Sequence, residues 1–141
     1  MTMDRERAAG FIAALHRAQE QLYRGSDDAA VRRLLSPNVV WHVPGASPIA
    51  GRYEGIEEVI AYMRHRRDLA GGSFRMHRRE LLIGEGEQFA ALTDGSAVID
   101  GRLRKWSTIG LYRLRGGRLA ECRLIPFDQA EFDSIWGDRS G

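Results

Sequence analysis

Hydrophobic periodicity changes once along this chain, at Gly71-Gly72. Before that pair, apolar residues recur at the spacing of helices; after it they recur every second residue. Four strands follow, at about 73–83, 88–99, 102–114 and 118–127. They are divided by Gly84-Glu85-Gly86, Asp100-Gly101 and Gly116-Gly117, turn sequences that suit tight hairpins. Strands this long, joined this tightly, must be antiparallel neighbours. Helices first and a meander afterwards make an α+β fold, with the helix layer covering one face of a curved sheet. Such a pair of layers commonly leaves a cavity open at one end.

The helical part has three segments. Over residues 4–24 the apolar stripe is Ala8, Phe11, Ile12, Leu15, Ala18 and Leu22, with charges on the other face. Gly25 ends it, and Ser26, Asp27 and Asp28 cap a shorter helix through Val31, Leu34 and Leu35. Ser36-Pro37-Asn38 should stop that helix, leaving Val39–Val43 as a short buried strand. The third helix, about 55–69, has Glu57 and Glu58 in its first turn and Arg64, His65, Arg66 and Arg67 in its last. Both ends suit the macrodipole. A final short helix spans about 128–136. The pair Asp94-Gly95 falls inside a strand and is expected to form a bulge.

A chain of 141 residues is one domain by length, read here as 1–141 with an ordered core of about 4–136. The net charge is only +2, Arg greatly outnumbers Lys, and acids alternate with bases. No basic stripe with interleaved aromatics argues for nucleic acid. One cysteine, Cys122, rules out an internal disulfide and any cysteine-based metal cluster, which fits a reducing compartment. The charged start, Met-Thr-Met-Asp-Arg-Glu-Arg, has no signal-peptide core, so a cytoplasmic location is expected without a membrane partner. His16, His42, His65 and His77 show no metal-ligand spacing, and no phosphate loop follows a strand. Neither metal nor cofactor is expected.

Two stretches then carry a resemblance. One runs Trp41-His42-Val43-Pro44-Gly45 through Pro48-Ile49-Ala50-Gly51-Arg52-Tyr53-Glu54-Gly55. The other is Gly117-Arg118-Leu119-Ala120-Glu121-Cys122-Arg123, followed by Pro126-Phe127-Asp128-Gln129 and Phe132-Asp133-Ser134-Ile135-Trp136. With the element order, they resemble the SnoaL-like branch of the nuclear-transport-factor-2-like superfamily, which includes ketosteroid isomerase. The resemblance implies a cone-shaped α+β roll, with three N-terminal helices on a curved, mostly antiparallel sheet and a short C-terminal helix. It also implies an apolar interior pocket, a homodimer through the sheet face, and a small apolar or aromatic ligand. Some SnoaL-like relatives are polyketide cyclases that use neither cofactor nor metal. Fold likeness alone does not assign a reaction.

The isomerase machinery is missing from its matching places. Val43 stands where the base would precede Pro44, Gly110 where the buried acid would lie, and Ala18 near the place of the tyrosine donor. Two other groups are candidates for proton transfer. His42 carries an imidazole, the side chain general-base chemistry uses most often, but alternation turns it away from the pocket if Trp41 and Val43 face in. Asp94 would be a high-pKa acid if buried in its apolar strand, or a solvated carboxylate at a bulge. The candidate substrate contacts are Trp41, Val43, Tyr53, Met63, Trp106, Thr108, Tyr112, Cys122 and Leu124. Trp106, Thr108, Gly110 and Tyr112 share one strand face, with Cys122 and Leu124 their inward neighbours. Large flat rings with polar tips suit an aromatic or polycyclic ligand, and equally suit a plain aromatic core.

Overall fold

Helix α1 (Arg5–Tyr23) starts on Asp4, whose side chain accepts from the Arg7 backbone N–H at 2.7 Å. The computed structural model describes residues 3–137. Helix α2 (Ala29–Leu34) is a turn and a half, held by Asp28, which pairs with Arg32 at 2.9 Å and with Arg64 of the next helix at 2.5 Å. Helix α3 (Ile56–Ala70) turns Val59, Tyr62, Met63, Arg66 and Ala70 inward. Glycines with positive φ bound it at both ends, Gly55 and Gly71.

Strands β1 (Leu35–Val43), β2 (Gly51–Glu54), β3 (Arg75–Ile83), β4 (Gln88–Ile99), β5 (Arg102–Arg115) and β6 (Arg118–Pro126) form one sheet in the order β2-β1-β6-β5-β4-β3. All neighbours are antiparallel except β1 and β6, which run parallel. Helix α4 (Gln129–Gly137) follows β6. The four-strand meander matches the periodicity of the sequence to within two residues at each end.

Three features depart from the sequence expectation. Strand β1 begins at Leu35, running through the Ser36-Pro37-Asn38 stretch expected to separate helix from strand. The register against β6 slips between Leu35 and Val40, so Pro37 sits where no ladder bond is required of it. Strand β2 was unforeseen because its four residues are too short to show alternation. The expected bulge at Asp94-Gly95 is absent: Thr93, Asp94 and Gly95 pair in unbroken register with Thr108, Ser107 and Trp106. Gly95 is there for space, since a Cβ at that position would lie 2.4 Å from the Trp106 indole. The slip in this part of the sheet falls instead on β3, between Arg78 and Glu80.

The concave face carries the core, including Trp41, Phe89, Tyr112 and Cys122, and α1 and α3 cover it. The end of the cone is closed by α4, which buries Phe132, Ile135 and Trp136. What holds α4 there is the loop after β1. The Gln129 side-chain amide donates to the Pro44 carbonyl at 3.3 Å, and Asp133 accepts from the Ala46 N–H at 3.2 Å. Gly45 lies between them at φ +103, with no room for a Cβ against Gln129 and Asp133. Gly45→Ala therefore meets both backbone strain and a clash, and should cost about 1–3 kcal/mol in urea unfolding. It should also raise acrylamide quenching of tryptophan, because the seat of α4 is disturbed.

Candidate functional site

Beneath α3 and α4 the concave face encloses a chamber of about 40 Å³. Its wall comes from almost every layer: His16 and Gln19 of α1, Trp41 of β1, Arg66 of α3, Phe74, Thr93 of β4, Trp106, Thr108 and Tyr112 of β5, and Trp136 of α4. All three tryptophans of the chain line it. Thr93 and Thr108 face each other across the β4–β5 ladder. A larger cleft of about 570 Å³ adjoins it beside the start of α4 and shares Met76, Gly95, Trp106 and Phe132 with it.

Arg66 dominates the electrostatics. It is 6% exposed, and among the described residues no carboxylate comes within 4.0 Å of its guanidinium. Its side chain is set in rings instead: Cζ lies 4.4 Å from the Phe74 centroid, 5.3 Å from Tyr62, 5.6 Å from Tyr23 and 5.7 Å from Trp136. One nitrogen, Nη1, donates to the Tyr62 hydroxyl at 2.5 Å. Desolvation works against the charge, but the Tyr23 and Tyr62 hydroxyls favour it, and the Arg66 pKa ends above its ordinary value. Four other buried polar atoms of the wall and its lining lack a protein partner among the described residues: Trp41 Nε1, Trp136 Nε1, Thr93 Oγ1 and the Arg66 Nε itself.

His16 is the one imidazole of the wall. Burial first, then the positive charges of Arg66 and Arg78, lowers its pKa to about 4. It is therefore neutral at physiological pH, with a ring nitrogen able to accept a proton. Tyr62, Tyr112 and Cys122 are buried so deeply that desolvation pushes all three upward, and they remain protonated.

The sequence-expected contacts divide in two. Trp41, Trp106, Thr108, Tyr112 and Leu124 line the chamber. Val43, Met63 and Cys122 are buried in the surrounding core without lining it. Tyr53 packs against Tyr62 with its ring tilted by 30° and the centroids 4.7 Å apart, and donates its hydroxyl to the Ile49 carbonyl at 2.7 Å. It buttresses α3 from outside. The Gly110 position, where an isomerase acid would lie, is filled by the Tyr112 ring, 2.6 Å from where a Cβ would be.

Neither proton-transfer candidate lines the chamber. Trp41 and Val43 face in, so His42 faces out, where its Nε2 lies 3.1 Å from Glu121. Asp94 is not the buried, unpaired acid of the first possibility. Its side chain is 40% exposed, accepts from Ser107 at 2.6 Å and pairs with Arg79 at 2.8 Å, and it lines the open cleft. The residues that sequence reasoning missed include, on helices, His16, Gln19, Arg66, Phe132 and Trp136, and elsewhere Phe74, Met76 and Thr93. Arg66 did leave a signal: it follows Met63 by three and Tyr62 by four, on the buried stripe of α3.

The neutral His16 makes stability depend on pH. Its folded pKa is below its unfolded value of 6.5. Stability is complete above pH 6.5 and falls towards pH 4, because the unfolded chain binds a proton that the native chain refuses. The loss reaches about 3 kcal/mol. Urea unfolding at about pH 7 and about pH 4.5 should show a smaller difference for His16→Gln than for the natural chain.

Residues 9–122 match the SnoaL-like domain. The fold is also similar to that of Bal32a from a soil-derived mobile gene cassette, with a TM-score of 0.79 at 22% identity over 93% of this chain and 97% of that one. An NTF2-like protein of unknown function from Burkholderia pseudomallei gives 0.74 at 24% identity, over 95% and 98% of the two chains. TerC, co-crystallised with polyporic acid, gives 0.70 at 19% identity, over 89% and 96%.

Proposed function

The chain belongs to the SnoaL-like domain family, and from that premise we propose that it binds a flat, largely apolar, polyketide-like molecule across the interior chamber and the larger cleft that adjoins it. Its activity in this reading is cofactor-independent acid–base chemistry of the cyclase, isomerase or hydrolase type. The chamber wall carries the proposal. Three tryptophans line it, and among the described residues two of their indole N–H groups have no partner. The co-crystallisation of TerC with polyporic acid points the same way. No helix among the described residues is long and apolar enough to cross a membrane. The free, buried Cys122 accords with work in the cytoplasm.

His16 is the base of this reading, because it is the one imidazole of the chamber; its lowered pKa makes it a weak base, so positioning against the α-carbon has to supply the acceleration. A ketone such as 2-tetralone tests it, since loss of an α-proton is visible as deuterium exchange by NMR. Exchange should exceed that in an equal concentration of imidazole by about a hundredfold, and His16→Gln should abolish the excess. Loss in Asp94→Asn or His42→Ala instead would move the chemistry to the cleft and the convex face. Absence of any acceleration would favour the second reading, a binding protein without chemistry. That reading draws on one observation: among the described residues no carboxylate lines the chamber.

A homodimer through the convex sheet face belongs to the same proposal. Leu82, Leu111 and Ile125 are exposed there beside Arg113, Glu121 and Arg123, and Leu103 is exposed nearer the other end of β5. Sedimentation should show a dimer that Leu111→Glu converts to monomers. A natural chain that sediments as a monomer would rule the dimer out.

A further inference from the structure

Building on the interior-site reading, we propose that the ligand is an aromatic carboxylate, with its carboxylate on Arg66 in the chamber and its rings in the adjoining cleft. Three observations lead there independently. The first is charge. A guanidinium withdrawn from water without an acid partner is costly, and ring faces return only part of that cost. Since His16 is neutral, Arg66 is the one cation among the described residues that line the chamber, which suits a monoanion better than a phosphate dianion.

The second is hydrogen-bonding sense. Arg66 Nε, Trp41 Nε1 and Trp136 Nε1 are donors that cannot accept, and none has a partner among the described residues. A site whose unmatched groups are mostly donors calls for a group that only accepts. An ionised carboxylate is such a group, and its planar pair of oxygens fits a guanidinium edge. An amide or alcohol would bring no negative charge to the guanidinium.

The third is size. The chamber's 40 Å³ takes the equivalent of about two or three waters, enough for a carboxylate head and too little for a ring. The cleft has 570 Å³ and meets the chamber at Met76, Gly95, Trp106 and Phe132. Phe127, largely exposed, and Phe132 add aromatic wall there, so the body of the molecule lies where the rings are. Met76, unbranched and half-buried at the seam, is the side chain best able to move aside.

Tryptophan fluorescence reads this directly, because every tryptophan of the chain lines the chamber. The probes are 2-naphthoate, its neutral isostere 2-naphthamide, and 2-naphthyl phosphate. Naphthoate should quench with a Kd at least about tenfold below that of either other compound. Arg66→Met should erase the preference for the acid, and Arg66→Lys, which keeps the charge but not the fork, should keep part of it. Circular dichroism identifies the variants that fold, and if Arg66→Met does not, the natural chain and Arg66→Lys decide. Equal binding of acid and amide, tighter binding of the phosphate, or acid preference surviving in folded Arg66→Met would overturn the carboxylate assignment. With equal binding the interior site itself would still stand. Quenching by none of the three would sink both.

Discussion

A single buried positive charge organises the inside of this protein. Arg66 comes off the covered face of α3 and ends among rings from α1, α3, the 74 position and α4. Withdrawing a guanidinium from water is among the more expensive things a small domain can do. The surroundings are arranged around that cost. Aromatic faces meet the cation, the Tyr62 hydroxyl accepts from it, and burial, reinforced by the cation, keeps the nearby imidazole neutral. A leucine at this position would have filled a core of this kind with less difficulty. Keeping an arginine there makes the interior a polar site with aromatic walls.

Much of the fold was legible in the sequence, because it rests on local rules. The strand lengths, the three hairpins and the helix faces follow from periodicity and turn chemistry, and the inward set Trp106, Thr108 and Tyr112 follows from alternation once one face is chosen. The site was legible only on the strands. Arg66 stood in a run of basic residues at a helix end, where the macrodipole is a sufficient explanation for all of them. Only the face of the helix separates Arg66 from Arg64 and Arg67, and that face becomes informative when Tyr62 and Met63 are known to point inward. His16 likewise sits one residue beyond Leu15, at the edge of the apolar stripe of α1. Trp136 reaches the chamber only because α4 is fastened by residues about ninety positions earlier, a relation that no local pattern encodes.

The stretch around Trp41 and Pro44 also changes meaning. Trp41 is part of the chamber wall, while His42, its neighbour, belongs to the outer face with Glu121. The Pro44-Gly45 turn contributes to the interior at one remove, by seating the helix that closes it. Val43 and Gly110, which take the places of an isomerase base and acid, are occupied respectively by packed core and by the ring of Tyr112. Whatever proton chemistry the protein performs has to be built from a different set of groups.

The parallel pairing of β1 with β6 bears on the order in which the molecule assembles. The meander closes through turns of a few residues, whereas Trp41 and Cys122 are about eighty positions apart when they become neighbours. Loop-closure entropy favours the hairpins first and the long-range pair late. The part of the sheet that carries Trp41 is thus added to a structure already formed, and the loop that retains α4 arrives with it. The same hierarchy, run in reverse, makes this seam the natural line of partial opening, so that the chamber can be exposed to solvent while the four-stranded meander stays intact.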